Sequence, residues 1–148
     1  FGYVPSHPNF IVPGKRPLSS MSPIMVENRH TGALELIVGS SGGSRIITAN
    51  ILTTYAYLSH HGQVSMDDVI ARPRWHDQLL PPVTVFEYPG AQTPGFDNAT
   101  VRALTAKGHQ AAYTAPGLSN AQAIQHMHAG LWHAASERRQ YEARGAAI

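Results

Sequence analysis

Apolar residues in the first part of the chain form two short runs and then follow a helical spacing. Residues 21–27 and 33–38 flank the loop NRHTG and predict an antiparallel hairpin. The second run is so dense in apolar residues that we expect it to be buried on both faces. After a break at residues 39–43, residues 44–61 predict a helix that ends at Gly62. The apolar residues of this helix recur every three or four positions and form one stripe: Ile47, Ile51, Leu52, Tyr55 and Leu58.

The remaining chain predicts shorter elements of both kinds. Residues 66–71 and 97–107 have helical spacing. Four further runs predict strands, the last two forming a hairpin: residues 83–87, 110–115, 121–126 and 131–135. The proline-rich residues 1–17 and residues 72–82 predict irregular structure. The order β-β-α-α-β-α-β-β-β, without an internal repeat, predicts one α+β region over residues 1–148.

Composition narrows the possible functions. The chain has 148 residues and is 43% hydrophobic, which is enough for a core, but only 14% of it is charged. So low a charge content suggests that other protein covers part of the surface. The formal net charge of +2 is not gathered into a basic stripe, so we expect no nucleic-acid partner. The absence of cysteine excludes disulfides, thiolate nucleophiles and zinc–sulfur sites.

Two adjacent glycines, Gly42 and Gly43, separate the second strand from its helix in LELIVGSSGGSRIITAN. Glycine lets the backbone approach a ligand, and free N–H groups at a helix start bind a phosphate or the oxyanion of acyl transfer. A phosphate loop would continue with lysine and then serine or threonine, whereas Ser44 and Arg45 follow here. A dinucleotide site would need spaced glycines. A purely structural turn remains open.

Ser19 and Ser20, in GKRPLSSMSP, are the second candidate site. Serines at the start of a strand are ordinary turn residues, and no G-x-S-x-G nucleophile motif surrounds this pair. His126 and His128 are two apart on a predicted strand and would share one face, as metal ligands can. No third ligand is evident, so the sequence predicts neither a metal site nor a cofactor.

Taken together, these motifs resemble a known family. The chain is similar to the C-terminal part of the gamma-glutamyltranspeptidases, also called glutathione hydrolases, in four segments that occur in this order: FGYVPSHPNFIVPGKRPLSSMSPIMV, LIVGSSGGSRIITANI, ARPRWHDQLLP and AQAIQHMHAGLWHAASERR. The resemblance covers essentially the whole chain, as a fragment of the small-subunit domain. It implies the C-terminal portion of the αββα four-layer sandwich of N-terminal-nucleophile hydrolases, with two antiparallel sheets between helix layers.

The resemblance also implies an acyl-transfer enzyme whose precursor cuts itself into a large and a small subunit. The new N-terminal threonine attacks the γ-glutamyl amide of glutathione, and the acyl group passes to water or to an amino acid or dipeptide acceptor. Ser19 and Ser20 match the serines that hydrogen-bond the substrate α-carboxylate. Gly42 and Gly43 match the pair whose amides form the oxyanion hole. Phe1 falls at an aromatic position of a loop that covers the substrate in some members.

By the same resemblance, the nucleophilic threonine lies upstream of this chain. We therefore expect the 148 residues alone to be inactive and to need the large subunit and the N-terminal part of the small subunit. Family members are usually secreted, periplasmic or held at the outer cell surface. Three features depart from the family pattern: Ser41 stands where proline is common, Asp77 replaces a usual histidine, and residues 135–148 replace the usual ending.

Two other functions remain open. A catalytically inactive module would bind a γ-glutamyl compound or a protein partner through the same pocket. A related amidase would act on another acyl group, such as a β-lactam side chain. The serine pair argues against the amidase, because two hydroxyl donors suit a small carboxylate better than an apolar acyl chain.

Overall fold

The computed structural model describes residues 3–91, 93–127 and 130–146. Its helices and strands occur in the order β1 (Ile24–Glu27), β2 (Leu34–Ser41), α1 (Arg45–Ser59), α2 (Met66–Ala71), β3 (Trp75–His76), β4 (Thr84–Glu87), α3 (Asn98–Ala106), β5 (Ala111–Thr114), β6 (Asn120–His126) and β7 (Trp132–Ala135). A short 3-10 helix, His7–Asn9, interrupts the extended segment before β1. The predicted α+β class is confirmed. Within the described ranges, no helix is both long enough and apolar enough to cross a bilayer.

The larger sheet is antiparallel and has the strand order β1-β2-β6-β7, so both predicted hairpins are confirmed. Leu36 and Val38 of β2 point into the core and are both 0% exposed, while Ile37 between them points to the other face. β2 is therefore fully buried on one face only, and the expectation of burial on both faces is wrong. β2 also continues through Gly39 to Ser41, where the sequence predicts a break.

The outer face of this sheet carries an apolar row across all four strands. In the strand register, Met25 lies opposite Ile37, and Ile37 lies opposite Ile124. Ala134 of β7 continues the row beyond Ile124. Met25 is 67% exposed and Ile124 is 40% exposed. An apolar face of this extent is typical of a sheet on which another layer packs.

Helices α1 and α2 cover the inner face of the same sheet. Between helices and sheet lies one core of buried apolar side chains: Leu36, Val38, Ala56, Tyr57, Met66, Val69, Ile70, Ala123 and Ala135. Small residues such as Ala56, Ala123 and Ala135 let helix and sheet approach closely. The glycine turn between β2 and α1 is thus fixed at one edge of a packed layer.

The predicted apolar stripe of α1 does not form this core. Ile47, Ile51, Tyr55 and Leu58 are 46%, 52%, 70% and 51% exposed. The helix instead buries its face of mostly smaller residues: Ala49, Asn50, Thr53, Ala56 and Tyr57. Periodicity identifies an apolar face, but it does not say which layer that face meets. The stripe is available to another layer of protein.

The smaller sheet has the order β3-β4-β5 and is mixed, whereas the family resemblance implies antiparallel sheets. β3 pairs antiparallel with β4, and β4 pairs parallel with β5. The parallel pair is possible because α3 forms the crossover between the two strands. β3 has only two residues, which is too short for a periodic signal, and it falls inside the segment predicted to be irregular.

Four buried charged side chains tie the C-terminal segment to the rest of the chain. Glu137 accepts hydrogen bonds from Arg74 Nη1 at 2.7 Å and from Arg139 Nη1 at 2.9 Å. Glu87 accepts from Arg139 Nη2 at 2.6 Å and from the Arg74 backbone N–H at 2.8 Å. Two guanidinium groups and two carboxylates neutralise one another, which is the condition for burying charge. Within the segment that departs from the family ending, Glu137 and Arg139 are therefore firmly integrated into the fold.

Candidate functional site

The turn between β2 and α1 presents two backbone N–H groups. Gly42 and Gly43 have φ angles of 126° and 62°, which L side chains rarely adopt. A Cβ on Gly42 would also lie 2.6 Å from the carbonyl oxygen of Leu118. Within the described part of the chain, neither glycine N–H donates a hydrogen bond. Free N–H donors directly before a helix suit an anionic ligand.

The segment of residues 3–23, here called the serine arm, brings the serine pair to this turn. Ser20 Oγ donates a hydrogen bond of 2.6 Å to the carbonyl oxygen of Gly43. Ser19 Oγ accepts from the N–H of Met21 at 3.1 Å, so its own O–H is free to donate. The structure thus places both serines beside the glycine turn, while their binding of the substrate α-carboxylate stays a prediction.

Asn50 of α1 anchors the serine arm, although no motif in the sequence points to it. Its Nδ2 donates to the carbonyl oxygen of Ser22 at 2.5 Å, and its Oδ1 accepts from Ser40 Oγ at 2.5 Å. The side chain joins the arm to β2 and is only 1% exposed. The sequence signal for this residue was an asparagine between Ala49 and Thr53, on a helix face of mostly smaller residues.

A cleft of about 670 Å³ opens between the serine arm and the first turn of α1. Its polar part is lined by Ser19, Ser20, Gly43, Ser44, Thr48, His76, Asp77 and Gln78. Its apolar wall is formed by Tyr3, Leu18, Ile46 and Ile47. The volume is in the range of small-molecule sites. Phe1 lies outside the described residues, so its substrate-covering role stays a prediction.

Two side chains that the sequence analysis did not select form the base of this cleft. Gln78 Oε1 lies 2.7 Å from Ser44 Oγ and 2.9 Å from His76 Nε2. His76 Nδ1 lies 2.9 Å from Thr48 Oγ1. Ser44 directly precedes α1 and Thr48 lies in its first turn, so this network connects the start of the helix to β3 and to the segment that follows β3.

Asp77, one of the departures from the family pattern, has a structural explanation. Its Oδ1 accepts from the Leu79 N–H at 2.9 Å, and its Oδ2 accepts from Thr84 Oγ1 at 2.5 Å. The first bond closes an Asx turn that accommodates the positive φ of Leu79, 70°. The hydrogen bonds from Thr84 and then from Leu79 hold the pKa of Asp77 below its usual value. His109 Nδ1 lies 3.6 Å from the same carboxylate.

Arg45 places a positive charge directly after the glycine turn. Burial lowers the pKa of this guanidinium, and the nearby carboxylate of Glu87 opposes the shift. An arginine stays protonated throughout the physiological pH range. Its charge interacts with the Glu87 carboxylate, whereas the partial positive charge of the helix start favours an anion at the turn.

Of the two histidines considered as a metal site, only His126 lies within the described residues. No group of three histidine, aspartate or glutamate side chains with metal-binding geometry occurs in residues 3–91, 93–127 and 130–146. His126 packs against Trp132, with ring centroids 4.9 Å apart. His128 lies outside the described residues.

Known proteins resemble this chain in sequence. The family profile of gamma-glutamyltranspeptidase matches residues 1–147. The chain is 34% identical over 139 residues to the glutathione hydrolase proenzyme of Arthroderma benhamiae, covering 94% of this chain and 22% of that protein. It is 36% identical over 124 residues to the glutathione hydrolase of Aspergillus flavus, covering 84% of this chain and 20% of that protein. The chain thus spans about a fifth of the length of these relatives.

A solved structure shows the same architecture. The gamma-glutamyltranspeptidase of Pseudomonas nitroreducens complexed with L-DON superposes with a TM-score of 0.78 at 30% identity, covering 99% of this chain and 72% of that chain. The fold is that of the N-terminal-nucleophile hydrolases, of which the described chain forms a part. The chain belongs to the gamma-glutamyltranspeptidase family.

Proposed function

We propose that this chain is the part of a γ-glutamyl-transferring enzyme that binds the substrate α-carboxylate and stabilises the oxyanion. The hydrogen bond from Ser20 to the Gly43 carbonyl carries the proposal, because it joins the serine pair to the glycine turn. Ser19 offers a hydroxyl donor, and Gly42 and Gly43 offer N–H donors. Such donors suit a bound carboxylate and the transient oxyanion of acyl transfer.

The proposed reaction has two halves. A threonine upstream of this chain attacks the γ-glutamyl carbonyl, and the N–H groups of Gly42 and Gly43 stabilise the oxyanion that forms. The C–N bond of the amide then breaks, and the amine leaves with a proton, as the cysteinylglycine part of glutathione would. Water, or the amine of an amino acid or dipeptide acceptor, attacks the resulting ester. The Thr–acyl bond breaks, and the threonine hydroxyl regains its proton.

The two serines have different tasks in this proposal. A serine hydroxyl carries a single proton, and that of Ser20 is donated to the Gly43 carbonyl. Ser19 is therefore the hydroxyl that is ready to donate to the α-carboxylate. Ser20 contributes to carboxylate binding only by rotating away from Gly43, and it also holds the glycine turn in place.

The proposed partners are the large subunit and the N-terminal part of the small subunit. Two exposed apolar surfaces support them: the outer row of the antiparallel sheet, from Met25 to Ala134, and the stripe of α1, from Ile47 to Leu58. Covering layers on both surfaces would complete a four-layer sandwich. Self-cleavage of a precursor and a location outside the cytoplasm, in the periplasm or at the cell surface, belong to the same proposal.

Kinetics of the full-length protein test the proposed function. We expect it to hydrolyse a chromogenic γ-glutamyl anilide, and we expect the 148-residue chain alone to be inactive. Ser19→Ala should raise KM by about 10- to 100-fold, since it removes a hydrogen bond to a charged group. Ser59→Ala, an exposed serine at the end of α1, is the matched control and should leave KM unchanged.

Three outcomes would contradict the proposal. Turnover by the 148-residue chain alone would show that no upstream threonine is needed. A full-length protein that binds L-glutamate without turnover would be an inactive binding module. Hydrolysis of an amide with an apolar acyl group, in preference to the γ-glutamyl anilide, would indicate a different amidase.

A further inference from the structure

Ser44 and Thr48 both make hydrogen-bond contacts outside α1, although Thr48 Oγ1 also donates to the carbonyl oxygen of Arg45 at 3.2 Å. A serine before a helix normally has extended backbone and accepts a bond from the first turn. Ser44 has φ and ψ of −60° and −24°, and its side chain makes no capping bond. It donates instead to Gln78 Oε1 at 2.7 Å. Thr48, one turn later, lies 2.9 Å from His76 Nδ1. The start of α1 is therefore bound to His76 in β3 and to Gln78, which follows β3.

The hydrogen-bond partners fix the orientation of these groups. The Leu80 carbonyl can only accept, and it lies 2.8 Å from Gln78 Nε2, so Gln78 Oε1 must face Ser44 and His76. His76 Nε2 then carries a proton and donates it to Gln78 Oε1. His76 Nδ1 lies 2.9 Å from Thr48 Oγ1, which also lies 3.2 Å from the carbonyl oxygen of Arg45. His76 is only 6% exposed, so a fully matched network is needed to hold it there.

The direction of the two glycine amides depends on the bonds to the glycine carbonyls and on what holds the residues on either side. The Gly42 carbonyl accepts from the Arg45 N–H at 3.2 Å, and the Gly43 carbonyl accepts from the Ile46 N–H at 3.1 Å and from Ser20 Oγ at 2.6 Å. Gly42 and Gly43 have no side chains to pack, and their positive φ angles are reached only by glycine. On one side, Ser41 is held by its pairing with Asn120 in the sheet. On the other side, Ser44 is held by Gln78.

We propose that Gln78 is a positioning residue that, together with His76, orients the oxyanion-binding amides of Gly42 and Gly43. The inference rests on the proposed function. Gln78 acts through Ser44 and the helix start rather than on the substrate carboxylate, which Ser19 binds. Loss of Gln78 should therefore weaken stabilisation of the transition state and leave substrate binding nearly intact.

Steady-state kinetics of the full-length protein test this separation. Gln78→Met keeps the side-chain length and removes both polar atoms. We expect kcat on a γ-glutamyl anilide to fall about 10- to 100-fold, with KM changed by less than about threefold, because oriented donors act mainly in the transition state. Ser44→Ala removes one bond of the network and should lower kcat about fivefold. The double variant should have the same kcat as Gln78→Met alone, because Gln78→Met already removes the bond that Ser44→Ala removes.

Two inhibitors give a readout that general destabilisation would not give. A boronic acid analogue of the γ-glutamyl group forms a tetrahedral adduct with the nucleophile, so its Ki should rise in parallel with the loss of kcat. The Ki of L-glutamate, which reports ground-state carboxylate binding, should stay within about twofold. Gln63→Met, in the exposed turn between α1 and α2, makes the same chemical change away from the cleft and should alter neither constant.

The outcomes separate this inference from the proposed function. An active wild type with unchanged kcat in Gln78→Met overturns the role of Gln78 alone. Equal changes in the Ki values of boronate and L-glutamate also overturn it. If Gln78→Met yields no mature protein, Ser44→Ala decides, and an unchanged kcat in that variant counts against the inference. A wild type without turnover overturns the proposed function and the inference with it.

Discussion

Replacing Glu137 by glutamine leaves the buried charge cluster with two guanidinium groups and one carboxylate. The Glu137 side chain is 0% exposed. Its Oε2 accepts from Arg74 Nη1 at 2.7 Å and from the Ala121 N–H at 2.8 Å, and its Oε1 accepts two bonds from Arg139. Glutamine has the same shape but only one acceptor oxygen. Its NH₂ group must therefore face two N–H donors, either those of Arg74 and Ala121 or the two of Arg139.

The expected loss follows from this geometry. Removing one partner of a buried ion pair lowers the free energy of unfolding by about 3–5 kcal/mol, because the remaining charge stays buried without compensation. Urea denaturation of full-length wild type and Glu137→Gln, followed by tryptophan fluorescence, measures the difference. Trp75, next to Arg74, places a reporter beside the cluster. A decrease in the free energy of unfolding of less than about 1 kcal/mol would refute the reasoning, because exposed ion pairs contribute up to about that amount.

The pH dependence provides a second test of Glu137. Burial acts to raise the pKa of this carboxyl, but Arg74 and the hydrogen bonds from Arg139 and Ala121 outweigh it, and the pKa lies below the usual 4.5. A lowered pKa stabilises the fold fully above pH 4.5, and this contribution is lost as the pH falls through the folded-state pKa. The difference in the free energy of unfolding between wild type and Glu137→Gln should therefore shrink in that acid range. Glu142→Gln, which changes an exposed carboxylate, is the control, and its free energy of unfolding should equal that of the wild type.

Three further changes test other parts of the site. Gly42→Ala should lower the single-turnover rate at least about 100-fold, because it twists the proposed oxyanion donor and brings a Cβ against Leu118. A near-normal rate would exclude that amide from the oxyanion hole. Asn50→Leu should lower the free energy of unfolding by about 1–3 kcal/mol in urea titrations and raise KM, because the serine arm loses its anchor. An unchanged KM would show that the arm is held elsewhere. Thr84→Val should raise the pKa of Asp77 toward its usual value in a carboxyl NMR titration, and an unmoved pKa would contradict the assigned cause.

Much of the fold could be predicted from local patterns. The bounds of α2 were predicted correctly, and those of α1 within two residues, because helical spacing and flanking glycine or serine are local signals. Both antiparallel hairpins followed from short apolar runs. The turn at Gly42 and Gly43 was identifiable because adjacent glycines before a helix are a strong local signal.

The remaining features depend on contacts between distant parts of the chain. The inward face of α1 is set by close packing on the sheet, so its bulkier stripe at Ile47 and Ile51 faces outward. Arg139 and Glu87 are 52 residues apart, and no local pattern couples them. Gln78 and Asn50 gain their importance from partners on other elements. A single polar residue carries no sequence signal of such a partner.

The apolar row from Met25 to Ala134 has a practical consequence for handling the protein. β1 is an edge strand of its sheet, so one side of its backbone offers unpaired donors and acceptors. An open edge next to an apolar face is a template for β-aggregation. Expressed without the rest of its polypeptide, this chain should enter inclusion bodies, and co-expression with that polypeptide should recover it in soluble form. A solubility screen would thus show whether this chain assembles with the rest of its polypeptide before any activity is measured.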